Sequence, residues 1–175
     1  TAGVSSEVGL VDADLLDTGN NIGSDFLILT GLTTVIGGTG GSGDGDGETL
    51  TFGPVQAVCD SDDSIVDIRV ALLCFVDAHF GAGGNPCGLE VELLQRPEGG
   101  STDETIYQRR IDYKYENPDQ GSSTASADLP FNPPPRKPGA GTWEYRVRLT
   151  IDIAHADNDL EIQPTDVRLT ALVFN

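Results

Sequence analysis

"GTWEYRVRLTIDI", residues 141–153, decides the fold. From Trp143 to Ile153 every second residue is apolar: Trp143, Tyr145, Val147, Leu149, Ile151, Ile153. Glu144, Arg146, Arg148, Thr150 and Asp152 stand between them. Successive side chains of a strand point to opposite faces, so this stretch reads as a strand with one apolar and one polar side. A helix would need apolar residues at a period of 3.6.

The same period recurs along the chain. Residues 64–78 put Val66, Ile68, Val70, Leu72, Cys74 and Val76 on one face. Leu89, Val91 and Leu93 alternate with Glu90 and Glu92. Tyr107, Ile111, Tyr113 and Tyr115 alternate with Gln108, Arg110, Asp112 and Lys114. Val167, Leu169, Ala171 and Val173 line the last strand. Residues 25–36 and 48–58 read as strands bent at Gly31 and Gly53, and 126–131 and 159–163 as shorter ones. Turn-rich segments separate them, among them 81–86, 96–103, 116–123 and 132–141. Only residues 7–18 read as room for a helical turn. The expectation is all-β: an antiparallel β-sandwich, a single jelly roll of about eight strands, with 1–24 as an N-terminal arm and 25–175 as one domain.

Charge narrows the function. The chain has 28 acidic and 10 basic residues, a net charge of −18, and only Lys114 and Lys137 are lysines. Such a surface repels itself in dilute buffer and is screened in molar salt, where the Debye length is about 3 Å. The pattern implies a halophilic setting. It argues against nucleic acid as a partner, because phosphates demand a basic patch. No apolar run reaches the roughly 18 residues of a transmembrane helix. The start "TAGVSSEVG" has no basic or apolar leader and the sequence has no Met, so removal of an initiator Met ahead of Thr1 is the expectation.

Candidate sites are sparse. Asp44, Asp46 and Glu48 stand at i, i+2 and i+4 on the glycine-rich loop 37–48, an oxygen-donor spacing that Ca²⁺ could use. The remaining ligands of an EF-hand are missing, which favours a solvated tether; no cofactor is expected. Acidic 60–63 reads as a charged turn. His79 and His155 have no nucleophile arranged beside them, Gly-x-Ser-x-Gly is absent, and Cys59, Cys74 and Cys87 lack zinc spacing. No enzyme is expected. Trp143 shares the apolar side of its strand, which favours core or interface over a sugar-stacking platform. "NPPPRKPG", 132–139, is a stiff arm carrying Arg136 and Lys137, natural partners for an acidic neighbour and so the candidate subunit interface.

From about Ile65 onward the chain resembles viral jelly-roll structural proteins. The residues that carry the likeness are "GTWEYRVRLTIDI", a short polar loop, and "IQPTDVRLTALVFN". With the acidic composition, the pattern is most similar to single jelly-roll capsid proteins of icosahedral haloarchaeal viruses with an internal membrane. The resemblance implies a virion subunit that assembles with itself and with other coat proteins, in a shell that can overlie a membrane. A lectin-like or fibre-head β-sandwich binding module, for decoration or host attachment, is the alternative.

Overall fold

A computed structural model of the chain describes residues 5–8, 22–38, 45–80, 87–113, 122–153 and 158–175. Its elements are all strands: β1 (Ser5–Val8), β2 (Ile22–Thr30), β3 (Ile36–Gly37), β4 (Thr49–Cys59), β5 (Ile65–His79), β6 (Cys87–Pro97), β7 (Glu104–Tyr113), β8 (Ser122–Phe131), β9 (Gly141–Ile153) and β10 (Asp159–Phe174). One sheet has the order β1-β4-β9-β6-β7; the other runs β2-β10-β5-β8, with β3 also on β10. Except for the parallel β1–β4 pair, all strand pairs are antiparallel.

The pairings are nested. β6 pairs with β7, β5 with β8, β4 with β9 and β2 with β10. A long hairpin with that nesting, rolled so that successive pairs fall in opposite sheets, is a jelly roll. The expected antiparallel sandwich of about eight strands is therefore the fold, the eight being the long strands.

Between the sheets lies one apolar layer. It takes Val66, Ile68, Val70, Leu72, Cys74 and Val76 from β5, Leu89, Val91 and Leu93 from β6, and Val167, Leu169, Ala171 and Val173 from β10. From β9 it takes Tyr145, Val147, Leu149, Ile151 and Ile153. The facing read from period-2 patterning holds in each of these strands. Trp143, Tyr107, Ile111 and Tyr113 are partly buried against the same core.

Four details differ from the sequence reading. Residues 159–163 and 165–174 form one strand rather than two, joined through an irregularity between Pro164 and Asp166. Proline has no amide proton for the ladder, so the register shifts there. Glu7 and Val8, at the start of the segment read as a possible helical turn, lie in β1; residues 9–18 are outside the described residues. The polar side of β9 is not wet throughout, since Glu144 and Arg146 are buried. Finally, Gly53 bends a strand as expected, but residues 25–36 are not one strand bent at Gly31: β2 ends at Thr30 and residues 31–35 connect it to β3. Gly31 closes β2 at φ 65°. Gly53, at φ 119°, sits in a register shift between Phe52 and Val55. A Cβ on Gly53 would stand 2.9 Å from the Tyr145 carbonyl oxygen and 3.2 Å from Arg146 Cγ, so this bulge demands glycine.

Candidate functional site

The outward face of β9, β6 and β7 carries a lattice of ion pairs. Alternation sends Glu144, Arg146, Arg148 and Asp152 outward from β9, because their neighbours fill the core. Register then sets opposite charges side by side. Arg148 faces Glu92 and Glu144 faces Arg96 across β9 and β6, and Glu90 faces Arg110 across β6 and β7. Opposite charges directly across a pair of strands stabilise a sheet.

The contacts are close. Arg148 Nε donates to Glu92 Oε2 at 2.7 Å, and Thr105 Oγ1 donates to Glu92 Oε1 at 3.1 Å. Arg96 Nε donates at 2.7 Å and Arg146 Nη2 at 2.8 Å to a single oxygen, Oε2 of Glu144. Asp103 lies 3.6 Å from Arg146 Nη1 and 3.9 Å from Arg96 Nε. Arg110 donates to Asp112 on its own strand and to Asp152 on β9. Its guanidinium crosses β6 over Gly88, where a Cβ would collide with it.

Electrostatics follow from that geometry. Burial alone would raise the Glu144 carboxyl, but the Arg96 and Arg146 hydrogen bonds outweigh it and hold the group below its ordinary value. Glu92 is also held low: burial pulls upward, and the bonds from Arg148 and Thr105 prevail. Arg110 is pushed up by its bonds to Asp112 and Asp152. Arg146 is the most enclosed member, its side chain 6% exposed, and its Nε has no hydrogen-bond partner. Half of the chain's eight arginines stand in this lattice. It joins three strands through side chains as well as backbone, and its charges are engaged with one another.

The residues singled out from sequence fall elsewhere. Lys137 Nζ donates to Asp63 Oδ1 at 2.9 Å, and both groups are exposed. The Arg136 backbone makes an isolated bridge to Val66, N to O at 3.0 Å and O to N at 2.8 Å. The arm thus docks on the start of β5 of its own chain. Asp62 joins this corner by accepting the Ala140 N–H. Asp46 accepts the Ile153 N–H at 2.9 Å and Glu48 accepts the Gly37 N–H at 2.6 Å, so both carboxylates tie loop backbone to the sandwich end. Asp44 and His155 lie outside the described residues. Among the described residues no group of three or more His, Cys, Asp or Glu could hold a metal ion. His79 Nε2 is 3.6 Å from Asp77 Oδ1. Trp143 Nε1 donates to the Gly139 carbonyl. The three cysteines are buried free thiols, with Cys74 pushed up to about 12 and Cys87 to about 11, chiefly by burial.

The sequence reading missed the lattice. Its signal was present in the alternation of Glu144, Arg146 and Arg148 with core residues, but which charges meet depends on strand register.

No family model matches the chain, and no curated protein matches it closely enough to count as a relative. Among solved structures, Eiger TNF from S. frugiperda is similar to it at 11% identity and a TM-score of 0.35, over 84% of this chain and 90% of that one. Among the described residues no helix is long and apolar enough to cross a membrane.

Proposed function

We propose that this β-sandwich is a self-assembling structural subunit of a virion shell that works in concentrated salt. The narrower reading is a single jelly-roll coat protein of a haloarchaeal virus, located in the virion. One observation supports it above others: a chain of net charge −18 leaves Ile28, Leu73 and Phe75 exposed on the outer side of a sheet. A solitary acidic protein gains nothing from apolar side chains presented to brine, whereas a subunit gains contact area. Salt that screens the acids also favours apolar burial when its ions are excluded from protein surface.

Sedimentation of the purified chain in about 3 M salt, where screening is nearly complete, tests the reading. Capsomers or particles are expected. A discrete trimer that never grows would favour a decoration or fibre-head module, and a monomer at every concentration would overturn the structural role.

A further inference from the structure

We propose that the outward face of β2, β10 and β5 binds the same face of a second copy of this chain. The proposal rests on the self-assembly reading and names the surface that would serve it.

Ile28, Leu73 and Phe75 are 45%, 40% and 53% exposed. Each alternates with core residues: Leu27 beside Ile28, and Leu72, Cys74 and Val76 around Leu73 and Phe75. All three therefore point away from the sandwich interior. Leu73 and Phe75 are neighbours on one face of β5, about 7 Å apart along the strand. Register places Arg168 of β10 between Ile28 of β2 and Ala71 of β5, and sets Asp166 of β10 opposite Leu73. Arg168 and Asp166 flank buried Val167, so both face outward with the apolar residues.

Arg168 is exposed and has no carboxylate partner among the described residues. Arg69, Arg96, Arg110, Arg146, Arg148 and Lys137 each reach one. In a chain with 28 acids against 10 bases, an uncommitted arginine amid apolar side chains is the arrangement of a contact surface.

The occupant follows from charge. At its centre the patch carries Arg168 and Asp166, two positions apart, while the neighbouring Arg69 on β5 is already engaged with Asp67; the central pair is complementary to itself. A two-fold axis crossing the strands at Val167 sets Arg168 against the partner's Asp166, and Asp166 against the partner's Arg168. It also sets Leu73 over the partner's Ala71. Isologous contact requires this self-complementarity. Sheets stacked face to face pack about 10 Å apart, within reach of these side chains.

The test is sedimentation in molar salt of the wild type, Leu73→Glu, Phe75→Glu, Phe75→Ser, Arg168→Asp, and Arg168→Asp combined with Asp166→Arg. The replaced side chains are exposed or half-buried, and a melting curve for each variant verifies folding. Should a Glu variant fail to fold, Phe75→Ser carries the test. Both Phe75 variants and Leu73→Glu are expected to weaken association at least tenfold, as is Arg168→Asp, and the double reversal is expected to restore it. Association unchanged in folded Phe75→Ser or Phe75→Glu would overturn this surface while leaving the assembly reading standing. Loss in Arg168→Asp without recovery in the double reversal would overturn the two-fold arrangement. A monomeric wild type would overturn both readings.

Discussion

Arg96 and Arg146 donate to one oxygen of Glu144, from β6 at 2.7 Å and from β9 at 2.8 Å. Glu144 is thus the anion that lets two guanidinium groups sit side by side, one of them 6% exposed. Glu144→Gln would leave the enclosed Arg146 with only the more distant Asp103, 3.6 Å from its Nη1, as a charge partner. Breaking a buried pair on one side costs about 3–5 kcal/mol. Glu92→Gln should cost less, about 1–2 kcal/mol, because its partner Arg148 is 36% exposed and can turn to water. Urea unfolding of both variants in molar salt checks the ranking.

Acid should unfold the protein through this lattice. The carboxyls of Glu92 and Glu144 are held below their ordinary 4.5 in the folded chain. A group whose folded value is depressed adds stability that is present above the unfolded value and is lost as pH falls through the folded one. The stability curve should therefore be level from neutrality down to about pH 5 and fall below about pH 4. Protonating the many exposed acids acts in the opposite sense by relieving repulsion, but molar salt has already screened that term. The acid limb should flatten when Glu92→Gln and Glu144→Gln are combined, as read by melting point against pH.

Leu149 and Arg148 are neighbours on β9 with opposite fates, one fully buried and the other on the outer lattice. Leu149→Asp puts a carboxylate in the sandwich interior without a partner. The desolvation of an unpaired charge is comparable to the stability of a whole domain, about 5–15 kcal/mol, so unfolded or insoluble protein is expected. Arg148→Gln strands the buried Glu92 carboxylate with only the Thr105 hydrogen bond, so it should cost about 1–3 kcal/mol, still well below Leu149→Asp. Circular dichroism melts distinguish the two.

These pairs show what was legible in the sequence. Facing along a strand depends on neighbours two positions away, so Leu149 and Val70 could be placed in the core from their strands alone. Gly31 and Gly53 broke that period where the chain bends. Partnership across strands depends on register and sheet order, which join residues as distant as Arg148 and Glu92. Alternation marks one side of β9 as polar but does not show that long arginine side chains and Asp103 cover it. Arg136 and Lys137 read as a stiff arm for a neighbouring subunit, and only the fold shows that 136 also lies beside Val66 and 137 beside Asp63 of the same chain.

The basic arm can still meet a neighbour through Lys137, which is exposed, whereas the Arg136 Nε is buried without a hydrogen-bond partner. Arg136→Glu with Lys137→Glu leaves the Arg136–Val66 backbone bridge available, since that bridge uses only N–H and C=O. Reversing Lys137 removes an exposed pair of the kind that contributes little to folding. Lys137→Glu alone should keep a near-native melting point, and the double variant should melt lower because a carboxylate replaces the half-buried Arg136 near Tyr145; particle formation in molar salt should be reduced in both, as seen by sedimentation or negative-stain microscopy. Undiminished particles would show that the arm serves only its own subunit.

Salt should control folding itself. A net charge of −18 on 175 residues is strong self-repulsion at low ionic strength, where the Debye length is about 10 Å in 0.1 M salt. At 1 M it is about 3 Å, and distant acids no longer sense one another. The ion-pair lattice is screened less, because Glu144 and Arg146 are enclosed. Added salt should therefore remove repulsion faster than it removes attraction, and the melting point should rise steeply between about 0.1 and 3 M. The buried thiols give a second readout. Cys74 is pushed up to about 12 by burial, so its thiolate is scarce at neutral pH while the sandwich is closed. Labelling by a thiol reagent should be slow at 3 M salt and fast in dilute buffer, with the same midpoint as the melts. A melting point flat across the series, with labelling equally slow throughout, would show that the acids do not govern stability and would remove the halophilic reading.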